Sequence, residues 1–152
     1  MTAGTEGRSP RYRGLDTWSD REILDALWEG QARAIAAVRS ALPAIAAAAD
    51  ALAERLAGGG RLVYAGAGAS GLLAAGDALE IGPTFNWPDD RVACLLAAGT
   101  DLTPGMRGDV EDHDARGHAE AKALGLRPQD ALIAVAASGT TRYTLSAMQA
   151  AS

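Results

Sequence analysis

The sequence predicts an α/β domain: a three-layer arrangement in which helices flank a parallel sheet, preceded by N-terminal helices. Three observations predict it. Short unbroken apolar runs recur at Leu62-Val63-Tyr64-Ala65, at Val92 to Ala98 and at Ala131 to Ala137. Helical segments near 70–81 and 104–124 separate them, and a last helical start follows the third. The turns after the first and third runs are rich in Gly, Ser and Thr. Strands buried on both faces read as continuous apolar runs, and such strands alternating with helices indicate parallel βαβ units.

The elements follow in order. Residues 1–18 are polar, contain Pro10 and Gly14, and read as an extended arm. Ser19 with Glu22 three positions on predicts a capped helix start. Ile23, Leu24, Leu27, Trp28, Ile35, Val38 and Leu42 continue an apolar face at helical spacing. Pro43 predicts a break and a second helix over 43–57, ended by Gly58-Gly59-Gly60. Residues 19–58 are thus N-terminal helices, and 59–152 begin an α/β domain. The chain stops at Ser152, inside a helix that should cover the third strand. Three strands make a small open sheet, so the sequence predicts an interrupted domain with further strands beyond.

Composition narrows the functional classes. The formal net charge is -5, and the basic residues Arg8, Arg11 and Arg13 form no stripe, which argues against a nucleic-acid groove. A small anionic ligand is still compatible, since backbone N–H groups and hydroxyls bind phosphate locally. The one cysteine, Cys94, lies in an apolar run and reads as a buried, inert thiol. The N-terminus shows no secretory pattern, and Arg39, Asp50, Glu54 and Arg55 interrupt the Ala-rich region. These features predict a cytoplasmic protein with no membrane span.

The first turn, Gly66-Ala67-Gly68-Ala69-Ser70-Gly71, matches G-x-G-x-x-G between a strand and a helix. Its glycines would let the backbone approach a phosphate at the helix N-terminus. A dinucleotide site would also want an acidic residue closing the second strand, and Asp101 comes late for that role. The third turn, Ser138-Gly139-Thr140-Thr141, discriminates better. Three hydroxyls and a glycine at the end of a parallel strand suit the three oxygens of a phosphate monoester. Ser70, Gly71, Ser138, Gly139, Thr140 and Thr141 are therefore candidate phosphate-binding residues, with helix capping as the alternative role for Ser138.

Two carboxylates stand out less clearly. Glu80 lies among apolar neighbours near the end of the first sheet helix, where burial and the helix dipole would raise its pKa. The alternative is an exposed residue on the last turn. Glu111 lies in the charge run Asp109 to Asp114, spaced for an ion pair with Arg107, which is also the pattern of a solvated helix face. His113 and His118 are five positions apart, on different helix faces, with no third ligand nearby, so no metal site is predicted.

With these residues assembled, the chain resembles the N-acetylmuramic acid 6-phosphate etherases, which carry a sugar-isomerase-type (SIS) domain of flavodoxin-like layout. The resemblance lies in Thr5-Glu6-Gly7-Arg8, in Glu22-Ile23-Leu24, and in Gly59-Gly60-Arg61-Leu62-Val63-Tyr64. It continues in Asp77-Ala78-Leu79-Glu80 with Pro83-Thr84-Phe85, and in Ala136-Ala137-Ser138-Gly139 with Thr141 and Tyr143. It implies the N-terminal half of an enzyme releasing D-lactate from N-acetylmuramic acid 6-phosphate, with no cofactor, as a homodimer whose sites a second subunit completes. It further implies Glu80 as the acid that expels lactate and Glu111 as the base at carbon 2. The chain departs from the family pattern at Ala69, Leu72, Ile81, Gly82, Thr140 and Arg142. The altered cradle leaves two other functions open: a non-catalytic phosphosugar-binding regulator and an aldose–ketose isomerase.

Overall fold

The computed structural model describes residue 7, residues 9–100 and residues 108–151. Asp101, Arg107 and Arg8, each used above, lie outside them. The chain forms two compact units, divided between Ala51 and Leu52.

In the first unit the polar arm is not fully extended. It carries two short 3-10 turns, Pro10–Tyr12 and Leu15–Thr17. Arg11 pairs with Glu29, and the Tyr12 hydroxyl accepts a hydrogen bond from Arg33 at 3.1 Å. Helix α1 spans Asp20–Val38 and opens on the expected capping box. Ser19 Oγ accepts from the Glu22 N–H, and Glu22 Oε2 accepts from the Ser19 N–H at 2.9 Å. A 3-10 turn, Arg39–Ala41, precedes helix α2, Leu42–Ala57, so the break falls just before Pro43. Proline suits this place because its missing N–H is unpaired in any first turn. The apolar face of α1 is exposed, including Leu24, Leu27, Trp28 and Ile35. The helical stretch Asp20–Ala57 is long and apolar enough to cross a membrane by length and composition. The charges at Arg39, Asp50, Glu54 and Arg55 therefore do not exclude that on composition, contrary to expectation.

The second unit holds the sheet. Strands β1 (Leu62–Gly66), β2 (Val92–Leu96) and β3 (Ala131–Val135) are all parallel and lie in the order β2-β1-β3. Leu62 pairs with Val92 on one side and Ala131 on the other. Helix α3 (Gly68–Phe85) follows β1, α4 (Asp114–Ala123) precedes β3, and α5 (Arg142–Ala150) follows it. The 3-10 turn Gly108–Asp112 leads into α4, where the sequence pattern suggested one helix from 104 to 124.

Strand alternation makes the layers. Leu62 and Tyr64 face one way and pack with Ala74 and Ala78 of α3, joined by Leu52 and Leu56 from the end of α2. Val63 and Ala65 face the other way, onto Ala121 of α4 and Ala147 of α5. Small alanines at the helix contacts let the backbones approach the sheet closely. β1 is apolar at every position because both of its faces are covered.

The N-terminal edge of the sheet is held by charge. The Asp130 carboxylate, 1% exposed, accepts from the Arg61 backbone N–H and guanidinium and from Arg127. Burial alone would raise its pKa, but the bonds from Arg61 and Arg127 outweigh it and hold the carboxyl well below the usual range. Arg91 stacks over Trp87 at 4.4 Å and donates to the carbonyls of Leu56 and Gly60.

Candidate functional site

β1 lies between β2 and β3, and its chain leaves over the α3 face, while β3 leaves over the α5 face. Where neighbouring parallel strands send their connections to opposite faces, a crevice opens at their C-terminal ends. The two turns singled out in the sequence, after β1 and after β3, are the two walls of that crevice.

The first turn is a tight return. A Cβ on Gly66 would lie 2.8 Å from Gly71 Cα, and a Cβ on Gly71 would lie 3.1 Å from the Gly66 carbonyl carbon. Only glycine at both positions lets strand and helix touch here. Ala67 takes extended backbone before α3 and supplies no side-chain cap. The first-turn N–H groups, Ser70 among them, therefore sit at the strand end without a side-chain acceptor. Gly71 differs, because its N–H bonds Ala67 O at 2.9 Å. It contributes the close approach and not a donor.

In the third turn Gly139 is left-handed, at φ 68°. Ser138 Oγ accepts from the Thr140 N–H at 3.1 Å and from Thr140 Oγ1 at 2.8 Å. The N-cap of α5 is Thr141, again without a side-chain cap bond. Ser138 thus folds the turn and does not cap the helix. Arg142, the first residue of α5, is exposed and makes no ion pair among the described residues. A cation there opposes the helix dipole. Thr144, one turn into α5, is 2% exposed, and its Oγ1 has no hydrogen-bond partner among the described residues.

Glu111 joins the first turn. It lies on the 3-10 turn whose neighbour Val110 is buried with Ala67, Ala97 and Tyr143. Its carboxylate rests against Gly68 Cα. A Cβ at Gly68 would overlap Oε1 and stand 3.2 Å from Cδ. The charge run is therefore only partly solvated: Val110 points in, and Glu111 is half-buried against the turn.

Glu80 is elsewhere. It is exposed, and twelve residues of helix place it about 18 Å along α3 from Gly68. Helix α3 continues to Phe85, so Glu80 is more than a turn from its end. Of the two readings of Glu80 the exposed one holds, though not on the last turn of the helix. One turn earlier Asp77 accepts the hydroxyl bond of buried Tyr64, whose pKa is pushed up by burial and by that bond. Exposed Leu73, Leu79 and Phe85 share α3 with Glu80.

Cys94 is partly buried rather than fully enclosed. It lines an open apolar groove of about 450 Å³ between α3 and the edge strand β2, with Leu72, Leu79 and Thr100. Burial raises its thiol pKa. His113 stands at the N-cap of α4 and His118 lies within that helix, both exposed.

Sequence reasoning passed over Tyr143 and Thr144 as site-forming residues. Their signal was present: two residues with polar groups in the first turn of a helix whose Ala147 faces the sheet.

No family model matches the chain. Among curated proteins it is 44% identical over 143 residues to the N-acetylmuramic acid 6-phosphate etherase of Deinococcus radiodurans, which is 94% of this chain and 47% of that protein. It is 41% identical over 147 residues to the etherases of Rubrobacter xylanophilus and Symbiobacterium thermophilum, in each case 97% of this chain and 49% of the relative. The chain is thus similar along nearly its whole length to N-acetylmuramic acid 6-phosphate etherases, and it spans about half the length of the curated relatives it matches.

Proposed function

We propose that the chain is half of a cytoplasmic carbon–oxygen lyase acting on N-acetylmuramic acid 6-phosphate. The observation that carries this reading is the Glu111 carboxylate seated against the Gly-rich turn. It puts a base beside a hydroxyl- and N–H-lined crevice suited to a phosphate monoester.

The phosphate is held by the first-turn N–H groups of α3 and α5 with the hydroxyls of Ser70, Thr140 and Thr141. Arg142 supplies the positive charge that the turns themselves lack. With the sugar ring open, the aldehyde acidifies the proton on carbon 2, and Glu111 removes it. The electron pair forms the carbon 2–carbon 3 double bond and expels the ether oxygen of carbon 3. Lactate leaves with a proton from the second carboxyl group, Glu80 by resemblance. Water then adds at carbon 3, giving N-acetylglucosamine 6-phosphate and D-lactate.

The distance of about 18 Å along α3 keeps Glu80 out of its own chain's crevice. The acid in each site is therefore supplied by a second copy, whose approach the exposed Leu73, Leu79 and Phe85 beside Glu80 favour. The same separation supports a second reading, a sugar-phosphate isomerase, which uses the carbon 2 step and needs no ether-expelling acid.

Proton NMR in heavy water with N-acetylmuramic acid 6-phosphate tests these readings together. Lactate release with deuterium at carbon 2 is the result expected of the lyase. Deuterium entry without lactate would favour the isomerase. Silence in both, with sugar phosphate bound, would leave a binding protein or a half whose site the rest of the enzyme completes, and the same measurement on the full-length enzyme chooses between them.

A further inference from the structure

Glu111 reaches the crevice on a five-residue 3-10 turn, so something outside that turn must fix where its carboxylate stands. The structure assigns this to Tyr143, as a positioning residue acting with Glu120 and Arg116; the assignment rests on Glu111 being the base.

Tyr143 is fully buried, and its side chain has two attachments. It packs with Val110, the residue immediately before Glu111, and with Ala67 of the first turn. Its hydroxyl donates to Glu120 Oε2 of α4 at 2.5 Å. Glu120 is itself held, because its other oxygen accepts from Arg116 Nε at 2.6 Å. Burial and the bond to Glu120 push the tyrosine pKa upward, so the hydroxyl stays a donor through the neutral range.

The two helices meet closely around this contact. A Cβ on Gly117 would overlap the Tyr143 carbonyl oxygen, so α4 is bare of side chain where α5 crosses it. Ser146 of α5 donates to the carbonyl of Asp114, at the start of α4. α5 begins at the Ser138–Thr141 turn, and α4 begins where the Glu111 turn ends. The Tyr143 clamp therefore joins the phosphate-binding wall and the base into one body. Glu120 and Arg116 need never touch substrate for this.

The variant Tyr143→Phe keeps the ring in the Val110 cluster and removes only the hydroxyl bond. Deuterium exchange at carbon 2 is expected to fall roughly tenfold or more, the scale of a displaced catalytic group. Affinity for N-acetylglucosamine 6-phosphate should change less than about twofold, which is the split between kcat and KM that separates positioning from general loss of fold. Glu120→Gln, whose carbonyl oxygen still accepts from Tyr143, should recover most of the rate, whereas Glu120→Ala should not. Exchange at the wild-type rate in Tyr143→Phe, or rate and affinity falling together, would overturn the proposal. If neither this chain nor its full-length form exchanges deuterium, the reading of Glu111 as base fails. The clamp is then judged by amide hydrogen exchange: faster exchange at residues 110–112 in Tyr143→Phe upholds it, and unchanged exchange overturns it.

Discussion

The Glu111 carboxylate lies in the space that a side chain at Gly68 would occupy. Gly68 is left-handed, at φ 53°, on the first residue of α3. The missing Cβ thus admits the Glu111 carboxylate to the strand end. Forty-three positions separate the two residues in the chain, and neither is informative without the other.

Gly68→Ala should displace the Glu111 carboxylate and strain the turn together. A left-handed non-glycine residue costs about 1–2 kcal/mol, and the methyl group must also push Glu111 aside. Carbon 2 exchange is expected to fall by roughly a hundredfold, with a melting midpoint lower by several degrees. Exchange kinetics and a thermal melt on the same sample check both effects.

Ser138→Ala removes the acceptor around which the third turn closes. The loss of two local hydrogen bonds should loosen Thr140 and weaken sugar phosphate binding by about tenfold. Stability should change by less than about 1 kcal/mol, because the turn is largely exposed. Titration with N-acetylglucosamine 6-phosphate is the measurement.

Glu80→Gln and Glu111→Gln should each abolish lactate release, yet a mixture of the two should recover part of it. In a two-fold dimer with sites shared between copies, a mixed pair has one intact site, and random pairing restores about a quarter of the activity. Carbon 2 exchange should survive in Glu80→Gln alone and be absent in Glu111→Gln alone. No recovery on mixing would place both carboxyl groups in one chain's site.

Asp130 predicts a pH dependence of stability. Its pKa is lower in the folded chain than the ordinary value of about 3.9, so its contribution is complete above that value. It is lost progressively as pH falls below about 4, because there the unfolded chain takes up a proton that the carboxylate bonded to Arg61 and Arg127 does not. Asp130→Asn should cost roughly 3 kcal/mol at neutral pH and progressively less toward pH 2. Denaturant melts of both proteins at pH 7, 4 and 3 measure the convergence.

Much of the fold was legible. The runs at Leu62, Val92 and Ala131 are strands because alternate residues meet helices on opposite faces, and that leaves no polar position in β1. Ser19 and Glu22 fixed the start of α1 through two local hydrogen bonds. The two turns were readable for the same reason: glycine, serine and threonine act on the backbone within a few residues. The carboxylates were not. Glu80 has apolar neighbours in sequence, but Leu79 and Phe85 point outward with it, so proximity along the chain gave no burial. Glu111 sits in a charge run that looks solvated, and its half-buried position follows from Val110 turning inward.

By itself the sequence determined the local matters: the α/β alternation, the capped start of α1, the glycine turns and the hydroxyl-rich third loop. Periodicity and side-chain-to-backbone bonding decide these over a few residues. Tertiary structure alone decided that β1 and β3 are neighbours and that Glu111 meets Gly68. Each depends on how strands order and helices pack, contacts between residues far apart in the chain that no local pattern encodes.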